Sequence, residues 1–223
     1  MGFYDDRILP HLVKLTMRNR RLLPYRERVI SAAQGRVLEI GVGSGANLPL
    51  YSPHVREIIG LEPVPRLLAM SRRLATQLSQ PVKFVEGSAE AIPLESASID
   101  TVVTTWTLCT IPMVLQALDE VRRVLNPHGQ LLFVEHGLAP DDTVRKWQNW
   151  LTPASKRLGG GCHLNRPIRA IIEKAGFAIE YLETGYMKGP KPMTFLYEGR
   201  ATIRTVRIAV QHEPGCFQRL RLL

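Results

Sequence analysis

The sequence predicts an α/β fold built on a mostly parallel sheet. From residue 36 onward, short and almost continuously apolar runs alternate with stretches whose apolar residues recur at helical spacing. Such runs are typical of strands buried on both faces, as in parallel sheets covered by helices. A length of 223 residues allows one generous domain. The 45% of hydrophobic and 22% of charged residues argue against global disorder and against a polytopic membrane protein.

Each predicted element follows from its local pattern. Residues 8–33 are interpreted as two helical segments, interrupted near Asn19 and Pro24. The next hundred residues give five strands and two clear helices. The strands are predicted at 37–40, 58–61, 82–85, 99–104 and 131–134, and the helices at 65–78 and 113–125.

After the fifth strand the alternation changes. A helix is predicted over 141–158, and three glycines at 159–161 form a flexible hinge behind it. A second helix over 167–175 ends at Gly176, and a closing pair of strands follows at 177–186 and 193–198. The remaining residues are basic and weakly patterned, so no structure is predicted for them.

The net charge of +9 lies entirely in the two flanks of the chain. Residues 1–36 carry a net +5, residues 200–223 carry a net +4, and the segment between them is neutral. Basic flanks attract nucleic acid, an anionic membrane or an acidic partner, and they also occur simply as solvated ends. The charge alone does not choose among these interpretations.

Cysteine usage and the first residues favour a cytoplasmic location. Cys109, Cys162 and Cys216 are odd in number and widely spaced, so neither a disulfide framework nor a structural zinc motif is predicted. The amino-terminal residues lack the apolar stretch of a secretory signal. The uncharged run at 101–118 contains five threonines and Pro112, which suits a strand, a loop and a helix start better than a membrane span.

A glycine-rich loop after the first strand is the most informative segment. Gly41, Gly43 and Gly45 occupy alternate positions, and a helix is expected to begin beyond them. Glycine is needed where the backbone takes positive φ or approaches a ligand closely. Glu62 follows the second strand, where an acid can accept hydrogen bonds from two ribose hydroxyls. The loop fits the G-x-G-x-x-A pattern of dinucleotide sites, but Glu39 and the third glycine fit the E-x-G-x-G-x-G loop of S-adenosylmethionine enzymes better.

Motifs further along the chain favour the second of these cofactors. Residues 87–94 follow the third strand, 98–100 open the fourth, and 124–132 lead into the fifth. With the glycine loop they resemble the successive motifs of class I S-adenosylmethionine-dependent methyltransferases at the spacing of that family. Ser88 is a departure, since the family often has Asp at this position.

The resemblance implies a cofactor, a fold and a division of the chain. The cofactor is S-adenosyl-L-methionine. The fold is a Rossmann-like sheet of seven strands, six parallel and the last antiparallel, with helices on both faces and a lid helix after strand five. The N-terminal helical segment at 1–35 belongs to the same domain as the class I methyltransferase domain at 36–201. A basic C-terminal tail occupies 202–223.

The resemblance also assigns residues to cofactor binding. Glu39 and the three glycines would hold the methionine end, Glu62 the ribose, and Thr105 with Trp106 would lie near the sulfonium methyl. Residues after the third strand would face or adjoin the adenine, namely Ser88, Ala89 and Glu90.

The second half of the chain narrows the resemblance. The stretches 147–154, 161–166 and 175–177 look like the C-terminal half of the methyltransferase-like thiol S-methyltransferases, and 105–109 and 135–136 also match that group. This resemblance implies a small-molecule acceptor, either a small thiol or sulfide. A thiol reacts as its thiolate, so a base would help the transfer without being obligatory.

Two histidines are the candidate catalytic residues. His136 follows the fifth strand at the edge of the sheet where open parallel sheets place ligand chemistry, and His163 lies in the loop after the triple glycine. The predicted acceptor pocket comprises Trp147, Trp150, Cys162 and Arg166. A metal site built from Cys162, His163 and His136 has no recognisable spacing, so no metal is predicted.

Two other functions remain as alternatives. A phospholipid or quinone methyltransferase would use the basic flanks for peripheral contact with an anionic membrane. A nucleic-acid-binding protein would need aromatic interleaving or a helix-turn-helix or zinc signature, which the sequence lacks. Residues 104–107 do not form the N/D-P-P-Y/F tetrapeptide, which argues against methylation of base amino groups but not of base carbons. No nucleic acid partner is expected.

Overall fold

A seven-stranded sheet forms the centre of the computed structural model, which describes residues 8–17 and 19–204. The strands are β1 Gly35–Ile40, β2 Val55–Glu62, β3 Val82–Glu86, β4 Ile99–Thr105, β5 Leu125–His136, β6 Phe177–Tyr186 and β7 Phe195–Ile203. Their order is β3-β2-β1-β4-β5-β7-β6. The first five pair in parallel and β7 is antiparallel to both of its neighbours, so β6 runs in the direction of the first five. The predicted sheet is confirmed.

Helices cover both faces of this sheet. They are α1 Leu9–Met17, α2 Leu23–Ser31, α3 Pro65–Ala75, α4 Val114–Val124, α5 Asp142–Leu158 and α6 Ile168–Lys174. One face packs against buried residues of α4 and α6, and the opposite face against buried residues of α2 and α3. Burial on both faces explains why the central strands are apolar at nearly every position.

The strand order places a crevice at the carboxyl ends of β1 and β4. From β1 the chain winds outward through β2 and β3, then returns to place β4 on the other side of β1. Ligands of open α/β sheets bind at such a reversal of winding. The glycine loop and the loop after β4 both begin there, so the fold brings the two together.

The expected helix after the glycine loop is not an α-helix. Only a single 3-10 turn, Leu48–Leu50, follows the loop before the chain extends toward β2. Pro49 and Pro53 are the physical reason, because a proline inside a helix lacks the amide hydrogen that the helix needs. A helix dipole at this loop therefore contributes nothing to ligand binding.

Two strand boundaries differ from the sequence-based prediction. β5 begins at Leu125, so the predicted turn at 126–129 is an irregularity within its pairing to β4. β7 extends to Ile203, two residues into the predicted tail. The rest of that tail, including Cys216, lies outside the described residues. Within the described ranges, no helix is long and apolar enough to cross a membrane.

Candidate active site

The glycine loop folds tightly over the end of β1. Gly41, Gly43 and Gly45 all adopt positive φ, as the spacing predicts. A Cβ on Gly41 would lie 2.6 Å from the Thr107 side chain, so the loop touches the segment after β4 at this point. A Cβ on Gly43 would meet nothing nearer than the Gly41 carbonyl oxygen at 3.8 Å. The backbone at Gly43 is therefore exposed to open space on the side where a ligand can approach.

Glu62 lies at the rim of that space. One carboxylate oxygen accepts a hydrogen bond from the Gly43 amide at 3.0 Å and the other from the Val64 amide at 3.0 Å. Burial raises the pKa of Glu62, and these two amides oppose the shift. A carboxylate has about four lone-pair positions, so two remain for the hydroxyls of a ribose. The geometry fits the nucleoside that the sequence resemblance implies.

A buried polar network lies beneath the loop, and we call it the Arg26 network. It consists of Arg26, Glu39, Asn47, Tyr51 and Thr105, all buried. Glu39 accepts hydrogen bonds from Asn47 Nδ2 at 2.9 Å and from the Tyr51 hydroxyl at 2.8 Å. The Arg26 guanidinium donates to Asn47 Oδ1 and, at 3.2 Å, to Thr105 Oγ1. The N-terminal helix α2 is thereby tied to the ends of β1 and β4.

The two charges of the Arg26 network affect each other. Burial raises the pKa of Glu39 to about 7, although Tyr51, Arg26 and Asn47 all oppose that shift. Burial also lowers the pKa of Arg26, and the carboxylate of Glu39 opposes it. The network thus contains a carboxylate that titrates near neutrality beside the glycine loop.

Trp106 connects the Arg26 network to the loop after β4. Its φ is 52°, a left-handed conformation that bulky residues adopt only where the surroundings impose it. The guanidinium carbon of Arg26 lies 4.9 Å from the centroid of its ring, within cation–π range. The ring predicted to lie near the reacting methyl is therefore fixed from the N-terminal side of the chain.

The segment after β3 is held against α4. Ala89 is buried, and the Ser88 hydroxyl lies 3.2 Å from both the amide and one carboxylate oxygen of Glu90. The other oxygen of Glu90 accepts a hydrogen bond from the Met113 amide at 2.7 Å, just before α4. Glu90 therefore connects the predicted adenine segment to the helix beside it.

A second group of polar side chains contacts the backbone of Trp106 through Cys109, and we call it the Cys–His cluster. It contains Cys109 from the loop after β4, His136 from the end of β5 and Cys162 from the loop after α5. Cys162 Sγ lies 3.0 Å from His136 Nε2, and the three ligand atoms lie within 4.8 Å of one another. The sequence points to His136 and Cys162 separately, and the fold brings them together with Cys109.

The protonation of the Cys–His cluster is uneven. The pKa of Cys162 is lowered by a hydrogen bond from Cys109 and by the neighbouring His136. The pKa of Cys109 is raised by the same hydrogen bond and by burial. Burial alone would lower the pKa of His136, but the hydrogen bond and charge of Cys162, with Glu135, raise it overall. Negative charge accumulates on Cys162 and positive charge on His136.

Two charged side chains flank the Cys–His cluster. Arg166 is buried and donates to the Leu108 carbonyl oxygen, while one oxygen of Glu135 accepts from the Thr107 amide at 3.0 Å. Burial raises the pKa of Glu135 to about 7. His163 Nδ1 lies 3.1 Å from the Cys109 carbonyl oxygen and 3.3 Å from an Arg166 nitrogen. His163 thus contacts the backbone that carries the cluster.

The two tryptophans of α5 lie on the outside of the molecule. Trp147 is 53% exposed and Trp150 is 71% exposed, and their rings pack edge to face at 5.6 Å. The buried side of α5 instead carries Val144, Gln148 and Thr152. Gln148 anchors the helix, since its amide group bonds to the backbone of residues 137 and 139. An apolar wall of tryptophans over the acceptor stays a prediction that would require movement of α5.

Sequence reasoning missed three members of the Arg26 network and one of the Cys–His cluster. The missed residues are Arg26, Asn47, Tyr51 and Cys109. Arg26 carried a readable signal, because it occupies a position four residues after Leu22 and four before Ile30 on the buried side of the chain. An arginine among apolar positions at helical spacing indicates a buried partner. Cys109 carried no such signal, because its partners are 27 and 53 residues away.

Comparison with known proteins gives one matching family and several relatives. The methyltransferase domain family matches residues 38–133. Thiol S-methyltransferase TMT1B of Rattus norvegicus is 36% identical over 156 residues, covering 66% of this chain and 62% of the rat protein. The human TMT1B protein is 32% identical over 209 residues, covering 85% of this chain and 82% of its own length. The chain thus spans about three fifths of the rat relative and four fifths of the human one.

A solved structure shares the architecture. The SAM-dependent methyltransferase from Aquifex aeolicus superposes with a TM-score of 0.61 at 16% sequence identity, covering 87% of this chain and 98% of that one. At this identity the likeness concerns the fold, and it agrees with the strand order described above.

Proposed function

The chain belongs to the class I S-adenosylmethionine-dependent methyltransferases, and on that basis we propose that it methylates a small thiol or sulfide. S-adenosyl-L-methionine is the cofactor of the family, and when bound it supplies an electrophilic methyl group on a sulfonium. The observation that carries the choice of acceptor is the similarity to enzymes named for thiols. That similarity extends over 85% of the chain, well beyond the matched domain at 38–133.

The residues at the glycine loop suit the cofactor. Gly43 leaves the backbone open to a close ligand, and Glu62 retains free lone pairs for two hydroxyls. The buried carboxylate of Glu39 supplies negative charge, which favours a ligand that carries a sulfonium and an ammonium group. Trp106 would limit the access of water to the methyl group, since Arg26 holds its ring in place.

The Cys–His cluster suits a thiol acceptor. A thiol must lose its proton to react, and a positive group nearby favours the ionised form. His136 and Arg166 are two such groups beside the crevice, and both are buried. The pair of Cys162 and His136, 3.0 Å apart, can accept the proton that the thiol releases.

The test is S-adenosylhomocysteine formation with a panel of acceptors. The panel contains sulfide, methanethiol, a bulky alkyl thiol and vesicles containing phosphatidylethanolamine. We expect turnover with the thiols and none with vesicles. Turnover confined to the vesicles would overturn the thiol proposal and favour a lipid acceptor.

A pair of histidine variants tests the assignment of the acceptor side. His136→Gln should lower kcat with methanethiol and leave the affinity for S-adenosylmethionine within about twofold. His128→Gln is the matched control, because His128 is an exposed histidine in the same strand. Equal activity of the two variants would remove His136 from the acceptor side.

A further inference from the structure

Three side chains that are far apart in the sequence meet at the carboxyl end of the sheet, and we propose that Cys109, His136 and Cys162 bind a zinc ion. Each offers one ligand atom, and these three atoms lie within 4.8 Å of one another. The sequence gives no metal motif because the ligands come from three separate loops and strand ends. The fold nevertheless produces the donor set that a motif would encode.

The distances are close to those of a tetrahedral zinc site. With Zn–S at about 2.3 Å and Zn–N at about 2.0–2.1 Å, neighbouring ligand atoms lie roughly 3.5–3.8 Å apart. The 3.0 Å between Cys162 Sγ and His136 Nε2 and the upper limit of 4.8 Å bracket that separation. Side-chain shifts of roughly 1 Å would bring the three atoms to zinc-binding positions.

One ligand is fixed by the sheet, a second is buried in the loop after β4, and the third lies on an adjustable loop. His136 is the last residue of β5, and Cys109 is buried in the loop after β4. Cys162 follows Gly160 and Gly161, both at positive φ, and the His163 amide donates to the Cys109 carbonyl oxygen at 2.9 Å. This backbone bond keeps Cys162 next to Cys109, while the glycines allow the small movement that the metal requires.

The chemistry of the donor set selects zinc. Two thiolates and an imidazole suit zinc, whereas magnesium and calcium prefer oxygen ligands. Zinc with two thiolates is electrically neutral, so the bound metal would add no net charge to the buried cluster. A neutral buried site avoids the large penalty of an uncompensated charge.

Three protein ligands leave a fourth position free, as in catalytic zinc sites. This part of the inference rests on the proposed thiol acceptor. An acceptor thiol that binds there forms a Zn–S bond and releases its proton to solvent. Its sulfur then forms the new S–C bond as the bond from the methyl carbon to the sulfonium sulfur breaks, with that electron pair staying on the departing sulfur. The Zn–S bond breaks as the neutral thioether product leaves. In this form His136 is a ligand rather than a base.

The test measures metal binding without cofactor or acceptor. The 223-residue chain is reduced with a phosphine, dialysed and analysed for zinc per chain, and then titrated with Co²⁺ to detect the thiolate charge-transfer band. We expect about one zinc per chain, and at least about tenfold weaker binding after Cys109→Ala, His136→Gln or Cys162→Ala. Thermal unfolding identifies any variant that fails to fold, and Cys162→Ala, in the loop, is the safest of the three.

Two controls separate this site from its neighbours. Cys216→Ser removes the third cysteine of the chain and should leave zinc binding unchanged, as should His163→Gln. Equal zinc binding by the wild type and the Cys109→Ala/Cys162→Ala double variant would overturn the proposal. Zinc binding in a protein that turns over no thiol would leave the metal site standing and refute only the proposed acceptor.

Discussion

The Arg26 network and the Cys–His cluster both contact Trp106, the first at its ring and the second at its carbonyl oxygen, and they differ in how their polar atoms are satisfied. In the Arg26 network, the carboxylate of Glu39 has a protein donor at each oxygen, and the network is buried throughout. In the Cys–His cluster a sulfur contacts a ring nitrogen and a second sulfur, and Cys162 is only partly buried. The Arg26 network therefore holds its side chains in one arrangement, whereas the Cys–His cluster can exchange protons or bind a metal.

The largest expected loss of stability follows from removing the Arg26 guanidinium from the Arg26 network. Arg26→Ala would remove the donor to Asn47 Oδ1 and Thr105 Oγ1 and the cation that opposes the raised pKa of Glu39, and breaking such a buried charged network lowers the free energy of unfolding by about 3–5 kcal/mol. Arg21→Ala, one turn earlier and exposed, is the control and should change it by less than about 0.5 kcal/mol. Urea unfolding measures both. Similar losses in the two variants would contradict a tight Arg26 network.

The pH dependence of stability tests the same region through Glu39. Because burial raises its pKa from 4.5 to about 7, its contribution to the stability of the folded state is complete below about pH 4.5 and is lost as the pH rises through 7. Glu39→Gln cannot ionise, so it should gain up to about 3 kcal/mol relative to the wild type across that range. The measurement is the free energy of unfolding of cofactor-free protein at several pH values.

The pH test of Glu39 needs a control variant and has one outcome that would contradict it. Glu95→Gln changes an exposed carboxylate and should follow the wild type at every pH. If the difference between Glu39→Gln and the wild type stays constant from about pH 4.5 to 8, Glu39 ionises normally and the network is more solvated than its burial indicates.

The contrast between the two regions also explains how much the sequence could predict. The strands, the glycine loop and Glu62 are encoded locally, by apolar runs and by a glycine spacing that spans five residues. All of these lie where the motifs predict, with the 3-10 turn after the loop as the exception. Arg26 was readable in principle, because it interrupts an apolar face at helical spacing.

The Cys–His cluster was not predictable from one sequence. Its members belong to loops joined only by the pairing of β4 with β5 and by the return of the chain after α5. The sequence suggests His163 as the second histidine of a metal set, whereas the structure puts Cys109 in that position. Contacts between distant loops depend on strand order, which apolar patterns do not specify.

A smaller effect is expected from two glycines of the loop, compared as a matched pair. Gly43→Ala adds a Cβ that meets no protein atom closer than 3.8 Å, so the new methyl group would occupy the space open to the ligand. It should weaken S-adenosylmethionine binding by at least about tenfold, and the positive φ should cost about 1 kcal/mol of stability. Gly41→Ala also clashes with Thr107 at 2.6 Å and should be less stable than Gly43→Ala. Calorimetric titration and thermal unfolding distinguish the two. Unchanged binding in Gly43→Ala would mean that the cofactor does not approach this backbone.

The smallest effect on stability is expected from a substitution on the exposed side of α5. Its effect on KM tests whether acceptor binding extends from the Cys–His cluster to this helix. Trp147→Ala removes an edge-to-face contact with Trp150 at the surface, which contributes about 0.5–1.5 kcal/mol at most. If α5 moves over the acceptor, the KM for a bulky alkyl thiol should rise in Trp147→Ala while the KM for sulfide, which is too small to reach the ring, stays the same. Lys146→Ala, the exposed neighbour on the same helix, controls for changes in helix surface. A KM unchanged for both acceptors would mean that α5 stays where Gln148 anchors it and that its two tryptophans remain at the surface. Acceptor binding would then be confined to the Cys–His cluster.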